Sequence, residues 1–260
     1  MAQEAFRDLV EGLRKHDIWV RFAFHELRQR FRRSVLGPFW LTLSMGIMVG
    51  TLGLVFSRLF GQDIGQTLPF IAVGLIFWGL LNSAINEGAQ IFTGNERYIK
   101  NVPLPISVHL YQMLARNVMI LGFNMAIYVV MLVWFRIVPD WHFLMVIPGF
   151  ALFVVNMAWM ALAAGILSTR FRDMPQVIAS VVQVVFFLTP VFWSPHTLPS
   201  RPAFVDWNPL FHLLELVRGP LLGHDVAGKS WLIGFGLAVV GLALTAYLYR
   251  RAYARIAYWV

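Results

Sequence analysis

The chain has 260 residues, no cysteine, 58% hydrophobic residues, 13% charged residues and a net charge of +8. A soluble domain carries about 25% charged residues, so this composition, with a mean hydropathy of +0.66, argues against a water-soluble enzyme and excludes intrinsic disorder. Without cysteine there is no disulfide framework or thiolate metal site, and a basic excess in so apolar a chain reads as cytoplasmic loop charge meeting anionic lipid rather than nucleic acid.

Residues 1–33 form the first unit, a cytoplasmic arm. Phe6, Leu9, Val10 and Leu13, then Val20, Phe24, Leu27 and Phe31, fall at helical spacing with Arg and Glu opposite. That pattern predicts an amphipathic helix lying in the membrane interface. Asp17 interrupts the stripe and is placed to cap a second helix ending at Gly37-Pro38. No apolar core follows Met1, so no signal peptide is expected. Arg28, Arg30, Arg32 and Arg33 end the arm. Guanidinium forks grip phosphate through paired hydrogen bonds, so the cluster suits an anionic lipid head group.

Residues 34–260 form the second unit. Cutting at every Asp, Glu, Lys and Arg leaves six long uncharged runs of 19 to 29 residues. About 20 apolar residues cross a bilayer as a helix, so six spans are predicted, near 38–58, 66–86, 117–135, 143–167, 175–193 and 231–249. Between the second and third, Asn101–Ala115 has only 15 residues and is broken by Pro103 and Pro105. The fold class expected is an all-α polytopic membrane protein without internal repeats.

With the amino terminus inside, the inner segments hold 16 of the 21 basic residues. Eight are in residues 1–33, three are Arg97, Lys100 and Arg116, two are Arg170 and Arg172, and three are Arg250, Arg251 and Arg255. The bias places both termini in the cytoplasm. Asn82, Asn86, Asn124, Asn156 and Gln183 should face other helices or a lumen, and Gly46, Gly50 and Gly53 form a small-residue stripe for close packing. No charged residue lies deep in a span, which argues against a proton- or sodium-coupled carrier. Gly223–Ser230 matches the phosphate-loop pattern GxxxxGK[ST], but Leu221-Leu222 is too short for the preceding strand and an apolar run follows. Nucleotide binding there is rejected.

Several stretches together resemble one family. Arg30-Phe31-Arg32-Arg33-Ser34-Val35-Leu36-Gly37-Pro38-Phe39-Trp40 is similar to the R-[YF]-R-x-[ST]-x-L-G-x-x-W approach to the first span of type-2 ABC export permeases, in the branch moving O-antigen, capsule and teichoic-acid polymers. Asn95–Pro105 resembles that family's cytoplasmic loop between spans two and three, with Leu104 where an aromatic residue is usual. Phe171-Arg172-Asp173-Met174 resembles its turn between spans four and five. Thr189–Pro195, with Asn208-Pro209-Leu210, Glu215 and Arg218, resembles its outer segment.

The resemblance implies a transport subunit without catalytic residues, metal ligands or cofactor of its own. ATP and magnesium would bind a partner ATPase, present in two copies beside two copies of this chain, in a bacterial inner membrane. Arg30, Arg32 and Arg33 would meet the diphosphate of a polyprenyl-linked polysaccharide. Asn95, Arg97, Tyr98, Lys100, Pro103 and Pro105 would form the coupling helix docking on the ATPase. Ser194–Gly223, with Pro195, Pro199, Pro202, Pro209 and Pro220, would form short re-entrant helices.

A sugar channel needs flat apolar faces, and Phe77, Trp78, Phe186, Phe187, Phe192 and Trp193 are the candidates. Trp134 and Trp141 suit the interfacial aromatic belt. The alternatives are a type-2 permease for a small drug, lipid or peptide, and a membrane lipid phosphatase or glycosyltransferase. The enzyme would require clustered acid and base groups, and only Asp206, His212 and Glu215 come near that; Glu215 with Arg218 is more simply an i,i+3 pair.

Overall fold

The computed structural model describes residues 2–138, 140–195 and 203–260. Among these residues the regular structure is helical throughout. The arm is a pair of helices, α1 (Ala2–Arg14) and α2 (His16–Arg30). The membrane part follows with α3 (Phe39–Phe60), α4 (Ile64–Ala89), the short α5 (Glu96–Asn101), α6 (Val108–Trp134), α7 (Val146–Arg170) and α8 (Met174–Leu188). Two short helices, α9 (Ala203–Trp207) and α10 (Pro209–Leu221), lead into α11 (Gly228–Trp259). Five helices, namely α3, α4, α6, α7 with its preceding 3-10 turn, and α11, are long and apolar enough to cross a membrane.

The sixth expected span, 175–193, is shorter as a helix. α8 has 15 residues, about 22 Å at 1.5 Å per residue, against roughly 30 Å of hydrocarbon. Its stop is built into Thr189-Pro190. A residue before proline is driven out of the helical region, and Thr189 is extended at φ −96°, ψ 132°. The carbonyl groups freed there find partners: Arg218 Nη1 donates to Pro190 O at 2.6 Å, and Asn208 Nδ2 donates to Leu188 O at 3.3 Å.

Arg218, expected in an outer loop, is only 1% exposed. It forms the anticipated pair with Glu215, donating from Nε at 2.8 Å, and its guanidinium lies 4.0 Å from the centre of the Phe70 ring. A buried charge is tolerated when its donors are all engaged. Pro199 and Pro202 of the expected re-entrant segment lie outside the described residues.

α4 is the axis of the bundle, packed against α3, α6, α7, α8 and α10. Its closest approach to the broken segment is at Gly74, where an added Cβ would collide with the Val191 carbonyl oxygen. α7 joins α4 to α11, and Asn156 bridges this second contact by donating to Gly234 O at 3.1 Å. By contrast α3 exposes Phe39, Trp40, Leu43, Ile47, Leu54 and Leu59.

The arm differs from the expectation in two ways. α2 starts at His16 and ends at Arg30, before Gly37-Pro38; Asp17 sits in its first turn instead of capping it. Gly37, at φ +57°, reverses the chain into α3, a conformation glycine adopts without strain. In α1 the face turned to the protein is Ala5, Asp8 and Gly12, while the expected apolar stripe is split: Phe6 and Leu13 point away, with Phe6 70% exposed, and Leu9 and Val10 are half-buried. Gly12 is required by proximity: a Cβ there would strike Ser107 Oγ.

On the opposite end of the bundle, His142 Nδ1 lies 2.5 Å from Asp140 Oδ2 and His142 Nε2 lies 3.1 Å from Asp225 Oδ1. The hydrogen bond from His142 holds the Asp140 carboxyl below its ordinary value.

Candidate functional site

The polar residues gather where the arm, the end of α4, α5 and the start of α6 meet. α4 ends at Ala89, and a 3-10 turn, Thr93–Asn95, leads into α5. Asn95 Nδ2 donates to Ile91 O at 2.8 Å, tying this turn to the end of α4. On α5, Lys100 Nζ donates to Glu96 Oε1 at 2.7 Å and to the Val260 backbone oxygen at 2.6 Å, so α5 is braced against the end of α11. The bond from Lys100 holds the Glu96 carboxyl below its usual range. Arg97, Tyr98, Lys100 and Pro103 are exposed, and Asn95 and Pro105 are half-buried. The Tyr98 ring stands between Phe22 of the arm (6.4 Å) and His109 of α6 (6.0 Å).

The link that holds α1 here is Asp8, only 4% exposed. Its carboxylate accepts from Ile106 N at 2.8 Å, from Ser107 N at 3.0 Å and from Tyr249 Oη at 2.7 Å. Ser107 Oγ returns a bond to Asp8 O at 2.7 Å, and Tyr111 Oη donates to Leu9 O at 3.0 Å. A carboxylate at the start of α6 meets free backbone donors and the positive end of the helix dipole. Asp8 thus joins the arm, the loop after Pro105 and the end of α11.

α2 is joined to the bundle by a second ionic group. Arg116 Nη1 donates to Glu26 Oε1, and Arg116 Nη2 donates to Glu87 Oε2 at 2.6 Å. Asn117 Nδ2 donates to Glu87 Oε2 at 2.6 Å, and Gln112 Nε2 donates to Glu26 Oε2 at 3.0 Å. Glu26, Glu87, Gln112 and Arg116 line part of a cavity of about 540 Å³ between α2, the end of α4, the α5 loop and α6. A smaller cavity of about 300 Å³ lies between α3, α4 and α6, beside Met45, Gly79, Asn117 and Asn124.

Arg30 closes α2 beside this larger cavity, and Arg32 and Arg33 follow in the turn; all three are exposed. The six aromatic candidates separate. Phe77, 2% exposed, is packed edge-on between Phe150 and Phe153 in the core between α4 and α7. Trp78 reaches Phe186 at 5.5 Å, and Phe186, Phe187 and Phe192 cluster with ring centres 5.2–6.2 Å apart. Trp193 meets Phe204 instead. Only Phe187 is widely exposed, on the α8 surface that also carries exposed Gln183.

The phosphate-loop look-alike follows a helix, α10, and not a strand. Ser230 is buried with its Oγ 2.9 Å from His212 Nδ1. His212 Nε2 faces Asp206 O at 3.1 Å, so both ring nitrogens are spent on structure. Among the described residues no cluster could hold a metal ion.

Residues 22–222 match the ABC-2 type transporter family model. The chain is similar to an O-antigen export system permease protein, RfbA, of Myxococcus xanthus, at 23% identity over 84% of this chain and 85% of that protein. It is also similar to a polysialic acid transport protein, KpsM, of Escherichia coli, at 24% identity over 85% of this chain and 89% of that protein.

Proposed function

The chain belongs to the ABC-2 type transporter family, and from that premise we propose that it is the permease of an ATP-driven exporter moving a polyprenyl-diphosphate-linked, O-antigen-like polysaccharide outward across a bacterial inner membrane. It is a multi-pass membrane protein, and in this reading the chain crosses six times, with both termini in the cytoplasm. The fifth crossing combines α8 with the extended segment from Thr189. Non-helical backbone at membrane depth needs internal partners, and the bonds from Arg218 to Pro190 O and from Asn208 to Leu188 O supply them. α9 and α10 form the re-entrant part. The arm lies in the inner interface, its outward Phe6 and Leu13 in lipid.

Two copies pair with two ATPase subunits, which hold ATP and magnesium. α5 is the docking element: a short exposed helix braced at both ends moves as one piece. Trp78, Phe186, Phe187, Phe192 and Trp193 border the polymer path, whereas Phe77 has its faces filled by Phe150 and Phe153.

The observation that carries the reading is the exposure of Arg30, Arg32 and Arg33 where the arm turns into α3; in this reading that turn lies at the depth of a lipid head group. Replacing all three with alanine should abolish polymer at the cell surface while expression and co-purification with the ATPase persist. Undiminished surface polymer in that variant would refute the lipid-diphosphate role.

A further inference from the structure

The smaller cavity opens on the apolar surface of the bundle. Its α3 wall includes Ser44 and Met48, both exposed, with Met48 at 46%. Its floor is closed by Ile76 and Leu80 of α4 and by Leu121 of α6, all buried. These three helices are each apolar enough to span a membrane, so the medium at the mouth is lipid hydrocarbon and not water. Along α3 the cavity runs from Leu41 to Met48, about 10 Å at 1.5 Å per residue. Apolar walls, an apolar medium and that elongated form suit a hydrocarbon chain.

The two ends of the cavity differ in polarity. Ser83 of α4 and Asn117 of α6 lie at the end nearer the arm, whereas Met48, Ile76 and Asn124 lie at the far end. Asn117 Nδ2 donates to Glu87 Oε2 at 2.6 Å, and Arg116 Nη2 donates to the same oxygen. Glu87 is also within the field of Arg30. A chain lying in the cavity therefore brings its head toward the arginine that opens the exposed cluster at 30, 32 and 33. Three guanidinium groups match a diphosphate better than the single phosphodiester of an ordinary phospholipid. Met45 and Met48 on the α3 wall are unbranched and adaptable, which suits a chain carrying methyl branches.

We infer that this cavity seats the isoprenoid chain of the carrier lipid next to its diphosphate, and so fixes where the head group stops before export. The inference rests on the export reading above and adds a place for the tail. Hydrocarbon already dissolved in a bilayer gains little from moving onto an equally apolar helix surface. Affinity thus stays with the arginines, and the cavity supplies position.

The test uses the complete exporter in phospholipid nanodiscs. The probe is a polyprenyl diphosphate with a photoreactive diazirine on the isoprene unit beside the diphosphate. A phosphatidylglycerol with a diazirine in its acyl chain is run in parallel, and labelled residues are located by mass spectrometry after irradiation. The expected result is polyprenyl label within residues 41–48, 76–83 or 117–124 severalfold above that at Leu242 and Leu244, which are exposed on α11. Ser44→Trp and Met48→Trp each fill the mouth from an exposed position and should lower the cavity label severalfold. Two such variants are used so that one remains if the other disturbs folding, with elution in size-exclusion chromatography as the check. Equal polyprenyl label at the cavity and on α11 overturns the inference. Equal cavity label from phosphatidylglycerol also overturns it, since the cavity is then a seat for ordinary bilayer lipid. Cavity label undiminished in both tryptophan variants has the same force. None of these results touches the export reading, which falls instead if the unmodified exporter delivers no polymer to the cell surface.

Discussion

Asp8 engages two backbone donors and a tyrosine hydroxyl from segments 98 to 241 residues away. Alanine there leaves these buried donors without their acceptor, a loss of about 3 kcal/mol. The expected outcome is a lower unfolding temperature in detergent, together with new protease cleavage within residues 2–30. Arg116 is the corresponding residue for α2. Arg116→Met strands Glu26 and Glu87 as adjacent carboxylates and should cost about 3 kcal/mol, read by the same melting assay. Glu87→Gln in that background should restore part of the loss by removing one of the two stranded charges. Neither residue stood out in the sequence. Asp8 reads as one more charge on an amphipathic helix and Arg116 as one more inner basic residue, because their partners come from elements far along the chain. The arginines at 30, 32 and 33 stand out in the sequence because their clustering is visible in adjacent residues, and all three are exposed.

Hydropathy found the long elements well and their ends poorly. The charge-free run through 174–200 reads as a full crossing, yet the helix stops at Leu188, since proline chemistry at 189–190 outweighs composition. Similarly α6 begins at Val108, before the apolar run at 117, because Pro103 and Pro105 terminate the preceding loop and the backbone after Ser107 is free to coil. The α4 contact with residues 189–191 offers a direct check. Gly74→Leu puts a side chain against the Val191 carbonyl and displaces Arg218 from Pro190 O. The variant should lose its monodisperse peak in size-exclusion chromatography, whereas Gly94→Ala, in open space on the α5 loop, should elute as the parent protein does. The charge pattern could not have shown that Arg218 is buried, for a residue count carries no depth.

The lack of native cysteine makes every introduced thiol a unique reporter of the whole molecule. With both termini inside, Asn101→Cys should react with a membrane-impermeant maleimide only after cell lysis, and Ala227→Cys should react in intact cells. The reverse pattern would invert the orientation. The partner copy can be sought in the same way. Gly53 packs on Leu68 within the chain, whereas Gly50 has open space before it on the little-buried α3. Gly50→Cys should give a disulfide-linked dimer on mild oxidation, and a monomer only would place the partner against another helix. The Asp8 cluster has a further consequence for how such a molecule is made. Residue 8 is synthesised well before its donors at 106 and 107, and these in turn long before Tyr249. The arm therefore gains its hold in two steps, the first once the start of α6 has been made and the second only when α11 has joined the bundle.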